Sequence, residues 1–239
     1  MDVIYPAAKG VFWPWLRFGL QWTIEGAAHV PEKGPVILAS NHVSYLDPLT
    51  LAWVADRRHR RLRFLAKAEL FEKPALGWLL HGAHQIPVMR GSSDAAGALG
   101  VAVDALDRGE CIAVFPEGTI SLDLDPKPGK SGVARLAQES SVKVTPVGLW
   151  GAHRILFKGR KPVWRAGVAE SVVVGQPLRI GPHDDIAVAT ERIMVAIAGA
   201  VARARELYTQ RPAPGDDDWW VRTPESAFRH VGQASGTTR

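Results

Sequence analysis

The sequence predicts an α/β domain, a mixed central sheet with helices on its faces. Three observations predict it. Short apolar runs bounded by Gly and Pro recur along the chain, the clearest being 36–40 (VILAS) and 111–115 (CIAVF), the latter lying between Gly109 and Pro116. Helical patterns fall between these runs, and that alternation favours a sheet covered by helices. A length of 239 residues, 46% apolar and 22% charged, suits one globular domain with a small appendage.

In chain order, residues 5–22 gather Phe12, Trp13, Trp15, Leu16, Phe18, Leu20 and Trp22 around Lys9 and Arg17, and read as helical pieces broken at Pro14. So much aromatic surface on so short an element points to a membrane-contact segment over 1–22, with cations near the headgroups; packing on the main domain is compatible with it. A strand is expected over 23–30, ending at the Pro31, Gly34, Pro35 turn, and a buried strand over 36–40. A helix starts at Pro48 and runs through Leu49, Leu51, Ala52 and Val54. Strand 63–66, helix 75–80, strand 85–89 and helix 94–107, stopped by Gly109, follow. After the 111–115 strand comes a loop rich in Gly and Pro, then a helix from Gly132 through Gln138. Strands 144–149 and 171–174 precede a last helix over 186–208. The main domain thus spans 23–208. Residues 209–239 have the composition of a tail, in which Trp219 and Trp220 offer a way to dock on the body.

Composition bounds the function. One cysteine, Cys111, excludes an internal disulfide and a cysteine-cluster metal site. The net charge of +5 suits an anionic partner, and nine Trp against three Tyr suit an interface. No apolar run reaches the ~18 residues of a spanning helix, and Asp2 and Arg17 argue against a secretory signal. The expected place is the cytoplasmic face of the cell membrane, bound peripherally.

Four strand ends carry polar groups, where α/β sheets collect functional residues. The first is Asn41-His42-Val43-Ser44-Tyr45-Leu46-Asp47-Pro48. His42 suits a general base if a partner orients its ring, and Asp47 is that candidate. Five residues apart on a helix, the two would point about 140° apart, so they meet only in a compact corner. Asp before Pro is also the pattern of a helix N-cap, and a capping Asp can still orient a His. The second end delivers Arg90 after Ile86-Pro87-Val88, a guanidinium suited to phosphate. The third is Phe115-Pro116-Glu117-Gly118-Thr119, with a carboxylate, a flexible backbone and a hydroxyl. The fourth is Val144-Thr145-Pro146-Val147.

These four blocks, in this order and spacing over about 36–151, resemble the glycerolipid acyltransferases, whose best-known members are the 1-acylglycerol-3-phosphate acyltransferases. The resemblance implies that His42 is the base, oriented by Asp47 and supported by Asn41 and Ser44. The base would take the proton of an acceptor hydroxyl as it attacks an acyl thioester, of coenzyme A or acyl carrier protein, with no cofactor and no metal. It further implies that Arg90, Lys67 and Lys130 meet the phosphate of lysophosphatidic acid or glycerol 3-phosphate, with Glu117, Gly118 and Thr119 at the glycerol. Ile120 departs from the pattern, since the family commonly has Arg there.

Other features read plainly. Arg57, Arg58, Arg60, Arg61 and Arg63 around His59 are expected to form a solvated loop or to meet anionic headgroups beside the phosphate site, not nucleic acid. Gly129-Lys130-Ser131 lacks the earlier glycine of a phosphate-binding loop, and no Gly-x-Ser-x-Gly nucleophile elbow exists. His81 and His84 lack a third metal ligand nearby.

Overall fold

The apolar runs become strands because both of their faces are covered. The computed structural model describes residues 4–89, 94–215 and 217–231. Its strands are β1 (Leu20–Glu25), β2 (Val36–Ser40), β3 (Leu62–Lys67), β4 (Ile86–Val88), β5 (Cys111–Val114), β6 (Val144–Trp150) and β7 (Val168–Val174). They form one sheet in the order β1-β7-β6-β2-β5-β3-β4. All neighbours are parallel except β6 and β7, which run antiparallel. β2, β6 and β7 are buried at every position, so their sequences do not alternate.

The helices are α1 (Ile4–Gly19), α2 (Asp47–Asp56), α3 (Pro74–Gly82), α4 (Asp94–Asp107), α5 (Gly132–Ser140) and α6 (Ile186–Glu206). α4, α5 and α6 close one face over Ile37, Ala39, Ile112 and Val144. α6 lies so close to β6 that a Cβ on Gly148 would stand 2.2 Å from the backbone of Ala200. On the other face Leu51, Val54 and Ala55 of α2 pack on Leu38, Ala113, Val147 and Val172.

The direction of β7 has a consequence for the site. It brings the 151–167 connection and the α1–β1 junction to the sheet end where β2, β5 and β6 finish. There Gly167 N–H donates to Gly19 O at 2.7 Å, and Leu20 sits opposite Val168.

Several elements differ from expectation. α1 continues through Pro14, because the carbonyl left unpaired belongs to Gly10, an exposed residue with open space around it. β1 starts at Leu20 and stops before Gly26, whose φ of +72° turns the chain into a short 3₁₀ turn over Ala27–His29. The final segment docks as Trp219 and Trp220 suggested. Trp220 and Ala227 are buried, and Arg205 donates to Thr223 O.

The arginine run does not adjoin the phosphate candidates. Arg57, Arg58, Arg60 and Arg61 precede β3 and lie at the sheet end opposite His42, about 20 Å of strand away from Lys67, and Arg63 is the second residue of β3. Three members of the run are structural. Arg60 is buried and donates to Pro31 O, Gly34 O and Gly109 O, Arg58 donates to Val30 O, and Arg63 pairs with Glu110 at 2.9 Å.

Candidate active site

β2 ends in a corner held from several sides. Asn41 extends the sheet with its side chain: Nδ2 donates to Leu149 O at 3.1 Å and Oδ1 accepts Leu149 N–H at 2.8 Å. Ser44 Oγ donates to Leu156 O at 2.8 Å and accepts Leu46 N–H. Both side chains thus tie the corner to neighbouring main chain.

Within this corner His42 Nδ1 meets Asp47 Oδ2 at 2.8 Å. The same oxygen accepts Val43 N–H and Ser44 N–H at 2.7 Å each. Asp47 is therefore not an N-cap. It is the first residue of α2 after Leu46, and its carboxylate turns back onto the corner instead of onto the amides of its own helix. Asp47 is fully buried, while 17% of the His42 side chain is exposed. A carboxylate only accepts, so the proton between them belongs to Nδ1, and in the neutral ring the lone pair is then on Nε2.

Phe115 completes the seat of the imidazole. Its ring stacks on His42 at 4.2 Å between centroids and 20° between planes, and Phe64 stacks behind it at 6.1 Å. In the sequence Phe115 stands out only as the first residue of the Phe115–Thr119 motif. The signal was an aromatic residue at the mouth of a strand with no other aromatic.

Glu117 ties the first corner to the third. One oxygen accepts His42 N–H at 2.9 Å and the other accepts Lys127 N–H at 3.1 Å. Burial pushes its carboxyl up to about 8, against the opposing pull of those two N–H groups. With both oxygens engaged by main chain, Glu117 acts as a clamp in this structure rather than as an open ligand. Gly118 makes the turn at φ +68°, and Ser121 N–H returns to His42 O at 2.8 Å. Thr119 is exposed beside them. Ile120 is buried among Val43, Leu124 and Trp150, so that position faces the core.

Of the cationic candidates, Lys67 is exposed at the end of β3, at the same end of the sheet as His42. Lys130 is also exposed, and its N–H holds Pro116 O at 2.9 Å. Arg90 lies outside the described residues. Among the described residues no cluster of three His, Cys, Asp or Glu could hold a metal. His81 instead packs edge-on against Phe71, and Cys111 is buried with its thiol pushed up to about 12 by desolvation.

Comparison with known proteins gives this corner its relatives. The acyltransferase family model matches residues 21–150, more than half of the chain. The 1-acyl-sn-glycerol-3-phosphate acyltransferase BAT2 of Brassica napus is 27% identical over 157 residues, 65% of this chain and 44% of its own. The lyso-ornithine lipid O-acyltransferase of Pseudomonas aeruginosa is 32% identical over 130 residues, 54% of this chain and 48% of its own. The chain thus spans about half the length of these curated relatives. The crystal structure of the 1-acyl-sn-glycerophosphate (LPA) acyltransferase PlsC from Thermotoga maritima has the same fold, with a TM-score of 0.65 at 24% identity, covering 87% of this chain and 82% of that one. By its matched domain, this chain belongs to the acyltransferase family.

Proposed function

We propose that the chain moves a fatty acyl group from an acyl thioester to the free hydroxyl of a lysophosphatidic acid-type acceptor, making phosphatidic acid. The observation that carries this reading is the 2.8 Å contact of His42 Nδ1 with a buried carboxylate, on a ring stacked against Phe115. Nε2 takes the hydroxyl proton as the oxygen attacks the thioester carbonyl. The tetrahedral intermediate collapses, the C–S bond breaks, and the proton passes from Nε2 to the leaving thiolate. Asp47 stabilises the imidazolium between these steps. No covalent acyl-enzyme is required, and the thioester of coenzyme A or acyl carrier protein is a co-substrate, not a cofactor. Lys67, Arg90 and Lys130 are the cations for the acceptor phosphate, and Thr119 is the hydroxyl for its glycerol.

The substrates are amphiphiles, and one end of the molecule suits them. Phe18, Tyr45, Val163 and Trp164 are exposed large side chains on the α1–β1 junction, the His42 corner and the 151–167 connection. Trp15 packs edge-on to Trp164 at 5.9 Å, and the Arg17 guanidinium lies over Phe18. Aromatic groups beside cations favour a lipid–water boundary, so this end is the proposed membrane contact, with the protein bound peripherally at the cytoplasmic face. Among the described residues no helix is long and apolar enough to cross a membrane.

A second reading keeps the chemistry and changes the acceptor. Ile120 supplies no cation to the site, and one relative is named for lyso-ornithine lipid. The test is thiol release from long-chain acyl-coenzyme A in mild detergent, with lysophosphatidic acid, glycerol 3-phosphate, lyso-ornithine lipid or no acceptor. Release that requires lysophosphatidic acid and is lost in His42→Ala is expected. Release only with another acceptor replaces the substrate assignment, and release unchanged in His42→Ala overturns the base.

A further inference from the structure

Directly behind the His42 corner lies a carboxyl group that the proposed chemistry leaves unused. Glu170 stands in β7 on the face covered by α2, between Val168 and Val172 of the core and opposite Trp22 of β1. Its residue is 1% exposed. Neither carboxyl oxygen has a partner at full hydrogen-bond geometry, although the Thr50 hydroxyl and the Ala152 amide approach it, and it forms no ion pair among the described residues. Room for it is made by Gly151, where a Cβ would stand 2.6 Å from Glu170 Oε2. A carboxylate buried without a cation and facing the Asp47 charge is strongly disfavoured, and the Thr50 hydroxyl and Ala152 amide do not offset this, so the group takes a proton.

Its surroundings point the same way. Asp47 and Thr50 approach from α2, the Ala152 amide from the connection after β6, and Tyr208 from beyond α6. No cation is among them. Burial first, and the Asp47 charge second, hold the Glu170 carboxyl well above the usual carboxylate range. Asp47 for its part uses only Oδ2 in the corner: its Oδ1 is buried and has no partner. One orphaned proton donor and one orphaned acceptor therefore share the same buried layer.

We propose that Glu170 is a positioning residue of the His42–Asp47 pair, its neutral carboxyl donating the hydrogen bond that Asp47 Oδ1 otherwise lacks. The bond, direct or through one buried water, keeps the carboxylate turned so that Oδ2 faces the imidazole. It also draws charge from Asp47, which moderates the basicity of the ring. The role rests on the reading of His42 as the base. An acid at this site costs stability that an apolar side chain would recover, a cost expected where function and not folding keeps the residue.

Two variants and one spectroscopic measurement test it. Glu170→Leu removes the donor and fills the site. It is expected to melt at or above the wild-type temperature, to lose about tenfold in kcat, and to move the acid limb of the kcat–pH profile up by about one pH unit. Glu170→Gln retains an N–H donor and is expected to keep kcat within about threefold, with the limb unmoved. In the resting protein at pH 7, without substrate, the infrared difference between wild type and Glu170→Gln should contain the carbonyl stretch of a protonated carboxyl. A missing band overturns the role of Glu170 alone, as does a Glu170→Leu enzyme with wild-type kcat and profile, or a Glu170→Gln enzyme as slow as Glu170→Leu. If Glu170→Leu does not fold, the band and the Glu170→Gln rate decide. Full activity in His42→Ala would instead overturn the base assignment, and this role with it, while leaving the band in place.

Discussion

Replacing Asp47 by Asn removes a charge and almost no volume, which separates the electrostatic role of this residue from its shape. Asp47 Oδ2 accepts three hydrogen bonds, from His42 Nδ1 at 2.8 Å and from two main-chain N–H groups at 2.7 Å. A hydrogen bond to a charged group contributes about 1.5–3 kcal/mol net, and one between neutral groups about 0.5–1.5. Over three bonds the substitution forfeits about 3–4 kcal/mol. Desolvation opposes this loss, because a fully buried carboxylate with one unpartnered oxygen becomes a neutral amide, recovering on the order of 1–3 kcal/mol. The net cost is about 0–3 kcal/mol, a fall in Tm of at most about 12 °C for a domain of this size. The rate enjoys no such offset. On the proposed mechanism the imidazolium formed during proton transfer faces a neutral amide oxygen in place of its anion. The expected fall in kcat is about 10⁴-fold, the loss known for the same change in a hydroxyl–histidine–carboxylate triad. Thiol release at saturating acceptor and thermal unfolding, measured on one preparation, give both quantities. A variant that melts within a few degrees of wild type yet retains more than a tenth of its kcat would refute the reasoning.

Two further outcomes follow from the same structure. Glu117 is held up to about 8 in the fold against an ordinary 4.5. The folded state therefore keeps a proton that the unfolded chain releases. Its contribution to stability is full below about pH 4.5 and is lost as pH rises through about 8, at up to about 1.4 kcal/mol per pH unit. Denaturant unfolding of Glu117→Gln should show a flatter decline over that window than wild type, and parallel curves would contradict the assignment. At the aromatic end, Phe18 and Trp164 are 83% and 64% exposed. Changing both to Ser should weaken binding to anionic vesicles by about tenfold or more while sparing turnover of detergent-dispersed substrate. Equal losses in the two assays would mean that the patch serves folding and not the membrane.

How far the sequence reaches can be judged at particular residues. The 36–40 and 111–115 strands and the 94–107 and 186–208 helices are legible because periodicity and Gly/Pro punctuation are local properties. So is the corner itself: His42 and Asp47 lie five residues apart, and the only conformation in which they meet is the compact one observed. The polar strand ends are legible for the same reason, since each is a short motif. Pro14 misleads because its tolerance depends on the exposure of Gly10, and the arginine run misleads because nearness in sequence to Lys67 conceals a strand's length between them.

The amino-acid sequence by itself determined the α/β class, the order of the motifs and the nearness of His42 to Asp47. Tertiary structure alone decided what surrounds that pair. The antiparallel direction of β7 is set by packing across the sheet, and it carries the Trp164 connection to the His42 end while bringing Glu170 beneath α2. Glu117 becomes a clamp on the His42 backbone only when β2 and β5 lie side by side, 75 residues apart along the chain. Phe115 reaches the imidazole by the same pairing. Contacts between residues far apart in sequence depend on register and strand direction, and those follow from the packing of the whole sheet rather than from any local pattern.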